Sequence, residues 1–307
     1  MSSSLIDFSW LWVPMVLFAA LAQTARNAAQ RSLTQAIGTL PATLVRFLYG
    51  LPFALLWLGL LYLLTPRALP HFSWVYLGWI ALGALFQVGG TAMLLLAMKE
   101  RNFAVAVTLS KTEVLQVALF ASVFLHELPT TLAVVAMVIA TIGVFTLSLP
   151  ARDKRWSMSA WFSRSALYGL ACGACFAIAS VGFRGAALAL GESSPWINGA
   201  WGVTLAQTLQ SLVLGAWVAW RHPGGIAPVW RAWRVSLVAG SMGAAASLAW
   251  FSAYAMQGAA QVRTLGMVEV VFSYLVSRRV LREPLSWPEK IGMLLMLCGL
   301  VMVTLEY

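Results

Sequence analysis

Two stretches of this sequence place carboxylates where apolar residues belong. Thr108 to Leu128 reads TLSKTEVLQVALFASVFLHEL, and Thr264 to Pro284 reads TLGMVEVVFSYLVSRRVLREP. Thr108, Leu109, Glu113 and Glu127 return 156 positions later as Thr264, Leu265, Glu269 and Glu283. Glu113 and Glu269 each fall near the middle of a run apolar enough to lie in lipid. An ionised side chain at the centre of a bilayer costs about 2.5–3.5 kcal/mol on insertion scales. It is kept there when it faces a cavity or a partner. One reading is that both carboxylates line a central path, where they bind substrate or carry protons. The other is structural: Arg26 and Arg184 pair with them and lock helices together. A carboxylate in a dry cavity can exchange protons near neutral pH, as proton coupling requires, whereas a tight arginine partner keeps it ionised. The residue types admit both.

The remaining charges at depth are basic. Arg26, in TARNAA from Thr24 to Ala29, is matched by Arg184, in GFRGAA from Gly182 to Ala187. Lys111 has no twin, since Met267 takes its place, and Arg263 stands opposite Val107. A substrate site built on these residues is therefore asymmetric. Lys111 and Glu113 lie about 200° apart on a regular helix and would face different ways. Arg46, in LVRFLYGLP, is nearer a span end and reads as snorkelling. Five basic residues against two acidic ones leave a net positive interior, which favours a substrate with an anionic group, such as the carboxylate of an amino acid or organic acid. Gln23, Asn27, Gln87, Ser110, Gln116, Tyr254 and Ser273 can add neutral contacts.

The elements that hold these residues are membrane spans. The chain has 307 residues, 61% hydrophobic and 10% charged, with a mean hydropathy of +0.82. Soluble domains carry about 25% charged residues. At about 20 apolar residues per span, ten fit: 11–30, 41–64, 74–97, 103–125, 130–149, 165–189, 197–220, 234–256, 259–280 and 287–305. The polar stretch Ala151 to Arg164 divides them into halves, 1–150 and 165–307, with 151–164 as the connecting loop. Five is an odd number, so the halves begin on opposite sides of the membrane. The fold expected is all-α, ten transmembrane helices as two inverted five-helix repeats, and such transporters bind substrate at the repeat interface. Small residues crowd spans six and eight, at Gly169 and Gly173 and from Gly240 to Ser247, and imply close helix packing.

Charge distribution sets an orientation. Of the 20 Lys and Arg residues, Arg26, Arg46, Lys111, Arg184 and Arg263 lie within spans. All the others except Arg67 fall in odd-numbered connections or at the span ends that border them. Positive-inside placement then puts both termini outside the cytoplasm, in a bacterial-type inner membrane. The net charge of +10 is used on lipid and helix orientation, and nucleic acid is not an expected partner. The partners expected are a small-molecule substrate and the bilayer.

The pattern resembles the drug/metabolite transporter superfamily, EamA type. That family reads roughly Glu-Pro, an apolar run, Gly-Glu, then a Gly-containing helix. Here the copies are Glu113-Val114, His126-Glu127 and Gly143, then Glu269-Val270, Arg282-Glu283-Pro284, Gly292 and Gly299. Val114 and Val270 replace the family prolines, and His126 and Arg282 replace the family glycines. The resemblance implies secondary transport, commonly export of amino acids, other metabolites or toxic compounds.

Other classes fit less well. An intramembrane enzyme would need catalytic motifs, and neither H-E-x-x-H nor G-x-S-x-G is present. No P-loop pattern occurs. His71, His126 and His222 lie at or beyond span ends, so no metal or haem cofactor is expected at membrane depth. Cys172 and Cys175 read as packing residues. A passive channel remains the other reading of the architecture.

Overall fold

The computed structural model describes residues 8–98, 106, 109–147, 164–192, 194–221, 224, 226–272, 275 and 287–305. Among them the regular structure is entirely helical. A short 3₁₀ turn at Phe8–Leu11 leads into α1 (Trp12–Ile37). There follow α2 (Thr39–Leu48), α3 (Leu51–Leu64), α4 (Trp74–Met98), α5 (Glu113–Phe124) and α6 (Thr131–Leu147). The second half contributes α7 (Arg164–Leu190), α8 (Pro195–Arg221), the short α9 (Ile226–Arg231), α10 (Trp233–Met256), α11 (Ala259–Gly266) and α12 (Trp287–Thr304).

Among the described residues, six stretches are long and apolar enough to cross a membrane: Thr39–Leu64, Trp74–Leu94, Arg164–Leu190, Pro195–Arg221, Trp233–Met256 and Trp287–Thr304. Glu113–Phe124 and Thr131–Leu147 are shorter apolar helices. α1 is long, but Gln23, Arg26, Asn27 and Gln30 make its second half polar. The outside is apolar. Leu56, Leu63 and Leu64 of α3, Leu132 and Ile142 of α6, and Ile291 and Leu294 of α12 are all exposed. The inside holds Arg26, Glu113, Gln207 and Gln210. Lipid, not water, suits such a surface, because helices satisfy their own backbone groups in hydrocarbon. The chain is a multi-pass membrane protein.

Two expected spans differ in the structure. The run at 103–125 and the run at 259–280 were each expected as one helix. In the first, of which 103–105 and 107–108 lie outside the described residues, α5 begins only at Glu113, after a turn at Lys111–Thr112. In the second, α11 stops at Gly266 and a turn at Met267 precedes Val268 and Glu269. Both turns tighten to i→i−3 hydrogen bonds. The Thr112 N–H donates to the Leu109 carbonyl at 3.1 Å, and the Met267 N–H donates to the Thr264 carbonyl at 3.0 Å. Residues 276–280 and Ser273 lie outside the described residues.

Helix pairing exchanges the two halves. α1 packs along α10, and α7 packs along α4. α2 and α3 lie on α8, α5 meets α11, and α6 runs against α12. At the last interface the exchange holds residue by residue. A Cβ on Gly143 would meet backbone atoms of Gly292 and Met296, and a Cβ on Gly299 would meet Ala136 and Ala140. Positions 136, 140 and 143 map onto 292, 296 and 299 by the same 156-residue step. Glycine lets these backbones touch, which is how helices associate where no hydrophobic drive operates between them. The stripe expected in α7 does the same work: Gly169 abuts the Ala106 backbone, and Gly173 lies against the Ser110 carbonyl.

Gly143→Ala should therefore force α6 and α12 apart and cost about 1–3 kcal/mol, the usual range for overpacking. Gly59→Ala adds its methyl where nothing lies within 4 Å. Thermal unfolding in detergent should show a lowered midpoint for Gly143→Ala and for Gly299→Ala, with Gly59→Ala at or above wild type.

Candidate functional site

The interrupted helices bring the charges together. α5 and α11 meet in the interior, bordered by α1, α7 and α10. Because the turn at Lys111–Thr112 restarts the helix, Glu113 occupies the first turn of α5. The unpaired N–H groups and the positive end of the helix dipole favour a carboxylate there. Thr112 is held by donating its hydroxyl to the Leu109 carbonyl at 2.7 Å, while Gln116 Nε2 donates to Thr112 Oγ1 at 2.9 Å.

Glu113 is buried and pairs with Arg263, the Nη2-to-Oε1 distance being 2.6 Å. The guanidinium also sits 5.1 Å from the ring centre of Trp250, within cation–π range. From Trp250 a continuous polar chain reaches the second carboxylate. Trp250 Nε1 donates to Gln23 Oε1 at 3.2 Å, and Gln23 Nε2 donates to Glu269 Oε2 at 2.5 Å. Asn27 Nδ2 donates to Glu269 Oε1 at 2.9 Å. Arg26, buried, donates from Nε and Nη2 to Asn27 Oδ1 at 3.2 and 2.7 Å. Glu113 and Glu269 are thus ends of one bonded network.

The pairings differ from those anticipated. Neither Arg26 nor Arg184 forms an ion pair with Glu113 or Glu269. Arg26 touches Glu269 only through Asn27. Arg184 pairs with Glu127 at 2.7 Å and donates from Nη1 to the Tyr254 carbonyl at 2.6 Å. It clamps the C-terminal side of α5 to α7 and α10. The reason is the topology: α11 carries Arg263 to α5, whereas α7 carries Arg184 past the far end of α5. Lys111 also departs from expectation. It lines a small cavity of about 20 Å³ together with Glu113, Arg263 and Glu269. The helical-wheel separation from Glu113 does not apply, because the chain between them is a turn.

A second cavity of about 50 Å³ adjoins the pair. Gln23, Arg46, Gln87, Glu113, Trp250 and Arg263 are among its lining residues. Arg46 does not reach for a membrane surface as a snorkelling side chain would. Its Nε is buried, and among the described residues no hydrogen bond or ion pair engages it. Sequence reasoning left Arg46 and Trp250 out of the site. A signal for Trp250 was available, since it stands away from the ends of its span, unlike the tryptophans that anchor at interfaces. The three cysteines are free, with Cys172 buried. Among the described residues no group of three His, Cys, Asp or Glu is placed to hold a metal ion.

The model of the EamA-like transporter family matches residues 10–149 and again residues 163–305. The chain belongs to the EamA-like transporter family. It is a membrane transporter of the drug/metabolite type, with the family unit present twice. No curated protein matches the sequence. One solved crystal structure, 17% identical, is similar over 96% of both chains with a TM-score of 0.74. At that identity the likeness shows the fold.

The departures from the EamA pattern can now be read physically. The helix interruptions at Lys111–Thr112 and Met267 occur without the prolines. Val114 sits inside α5, buried. His126 has φ 56°, a left-handed conformation that glycine adopts without strain. That is why a glycine suits the position before the turn glutamate. Arg282 lies outside the described residues.

Breaking a buried ion pair by removing one partner costs about 3–5 kcal/mol. Glu113→Gln and Arg263→Gln should each lower the unfolding midpoint in detergent markedly. The double variant should lose less than the sum of the two. Glu269→Gln keeps an acceptor for only one of its two amide donors but breaks no ion pair, so it should lose less than either single change. Equal losses for all three would contradict the pairing.

Proposed function

We propose that the chain is a secondary active transporter that exports a small metabolite, such as an amino acid or a related organic anion or zwitterion, by alternating access. The proposal includes ten spans in two inverted five-helix repeats, in a bacterial inner membrane with both termini extracytoplasmic. The exchange of halves in the helix pairing supports the repeat. The loop charges support the orientation.

One observation carries the reading. A bonded set of charged side chains sits on two interrupted helices, inside a bundle whose outer face is apolar. Inverted-repeat transporters build their central sites from such interrupted helices. Buried charge at membrane depth is retained for a substrate or ion path. Lys111 and the Glu113–Arg263 pair border the path, with Glu269 at its other end. Arg26 supports Glu269 through Asn27, and Arg184 ties the helix that carries Glu113.

The two carboxylates differ in their partners. Glu113 is matched by an arginine, whereas Glu269 is bonded by the side-chain amides of Gln23 and Asn27. Opening of the Glu113–Arg263 pair is assigned to the conformational change, with export coupled to protons.

The test compares metabolites in the medium of cells overproducing wild type and Glu113→Gln/Glu269→Gln, at matched membrane levels. Compounds enriched outside only with wild type are expected, with export falling to the background of cells lacking the protein. Equal enrichment by the folded double variant would contradict the assignment.

A further inference from the structure

The 50 Å³ cavity has an unusual balance of satisfied and unsatisfied groups. Glu113 faces it but is neutralised by Arg263. Gln23 is committed through both ends of its amide, to Trp250 and Glu269. Gln87 accepts from Gln210 Nε2 at 2.6 Å. The Tyr254 hydroxyl donates to Ser180 Oγ at 3.1 Å, and Ser180 donates onward to the Phe176 carbonyl at 2.9 Å. Arg46 alone among the charged groups facing the cavity has no counter-ion. Its charged neighbours are Arg26 and Glu269, and Glu269 already answers to Gln23 and Asn27. Arg46 is half-buried, its Nε is covered and without a hydrogen bond, and its guanidinium carbon lies 5.1 Å from the centre of the Phe47 ring. A covered charge with no counter-ion is costly, and the planar guanidinium fork matches a carboxylate in two parallel hydrogen bonds.

The rest of the wall is aromatic. Phe176, Phe183, Trp250, Phe251 and Tyr254 surround the opening. The Phe183 and Phe251 rings lie 4.2 Å apart, and Trp250 stacks with Tyr254 at 6.4 Å. Aromatic faces and edges suit a flat apolar body. At about 50 Å³ the cavity has room for no more than a few water molecules, so a larger ligand enters only when the site widens. The guanidinium and the rings are then already in place.

We propose that Arg46 is the anion-recognition group of the site and that the substrate is an aromatic monocarboxylate, its carboxylate on Arg46 and its ring among Phe176, Phe183, Trp250 and Phe251. This names the substrate class for the transport site proposed above and rests on that reading. Its test is binding, which needs no gradient and no transport. A protein that binds these compounds but moves none would leave the inference standing and remove the transporter reading.

Calorimetry of the purified full-length protein in detergent would use phenylacetate, phenylacetamide and acetate as probes. Phenylacetate should bind. Phenylacetamide should be weaker by about 10- to 100-fold, the worth of a hydrogen bond to a charged group, and acetate weaker still. Arg46→Gln removes a half-buried charge that has no counter-ion and should fold; it should bind the acid no better than the amide. Arg46→Lys should fall between, and Arg67→Gln, which loses an exposed pair with Glu192, should match wild type. Equal binding of acid and amide would overturn the proposal. So would undiminished binding by Arg46→Gln, acetate binding as well as phenylacetate, or no binding by any probe.

Discussion

The ion pair between Glu113 and Arg263 is the interaction on which the interior depends. Each charge offsets part of the cost of holding the other at that depth. Each sits on a helix that stops or starts beside it. The carboxylate gains from the beginning of α5, and the guanidinium lies near the end of α11, against Trp250. Fixing these two side chains fixes where α5 and α11 cross. From Trp250 the network passes to Gln23 and so to α1, and thence to Glu269. A single charge pair thereby ties two helices of one half to two of the other. The glycine contacts of α6 with α12 have no polar content and hold the same exchange of halves by shape alone.

Duplication explains the scaffold but not the site. Glu113 and Glu269 hold corresponding places, yet one meets arginine and the other meets two amides. The difference originates in Arg263, whose counterpart is Val107, and in Lys111, whose counterpart is Met267. Equivalent backbones therefore carry unequal chemistry.

Much of this was legible in the sequence. The apolar runs, the repeated Glu, the half-way polar loop and the asymmetry at Lys111 and Arg263 all follow from residue type and spacing. The partners did not. Arg263 lies 150 positions from Glu113 in the chain, and nothing in either segment says that their helices cross. The face that Lys111 presents was misread because a regular helix was assumed through a turn. Arg46 was misread because distance from a span end was the only guide available. Its burial comes from the close approach of the Tyr49–Gly50 turn to Gln207 of α8 and to Gly240 of α10, which local sequence does not encode. His126 shows the reverse case: a departure from a family pattern became intelligible once its backbone angle was known.

The central claim is that the cavity beside the Glu113–Arg263 pair opens to each side of the membrane in turn. Ser247 lines that cavity and can be replaced by cysteine after Cys172, Cys175 and Cys298 are removed. The direct measurement is labelling of Ser247→Cys by a membrane-impermeant thiol reagent, applied to right-side-out and to inside-out vesicles. The account predicts labelling from both sides, with proton concentration shifting the ratio between them. Labelling from one side only, under all conditions, would contradict it.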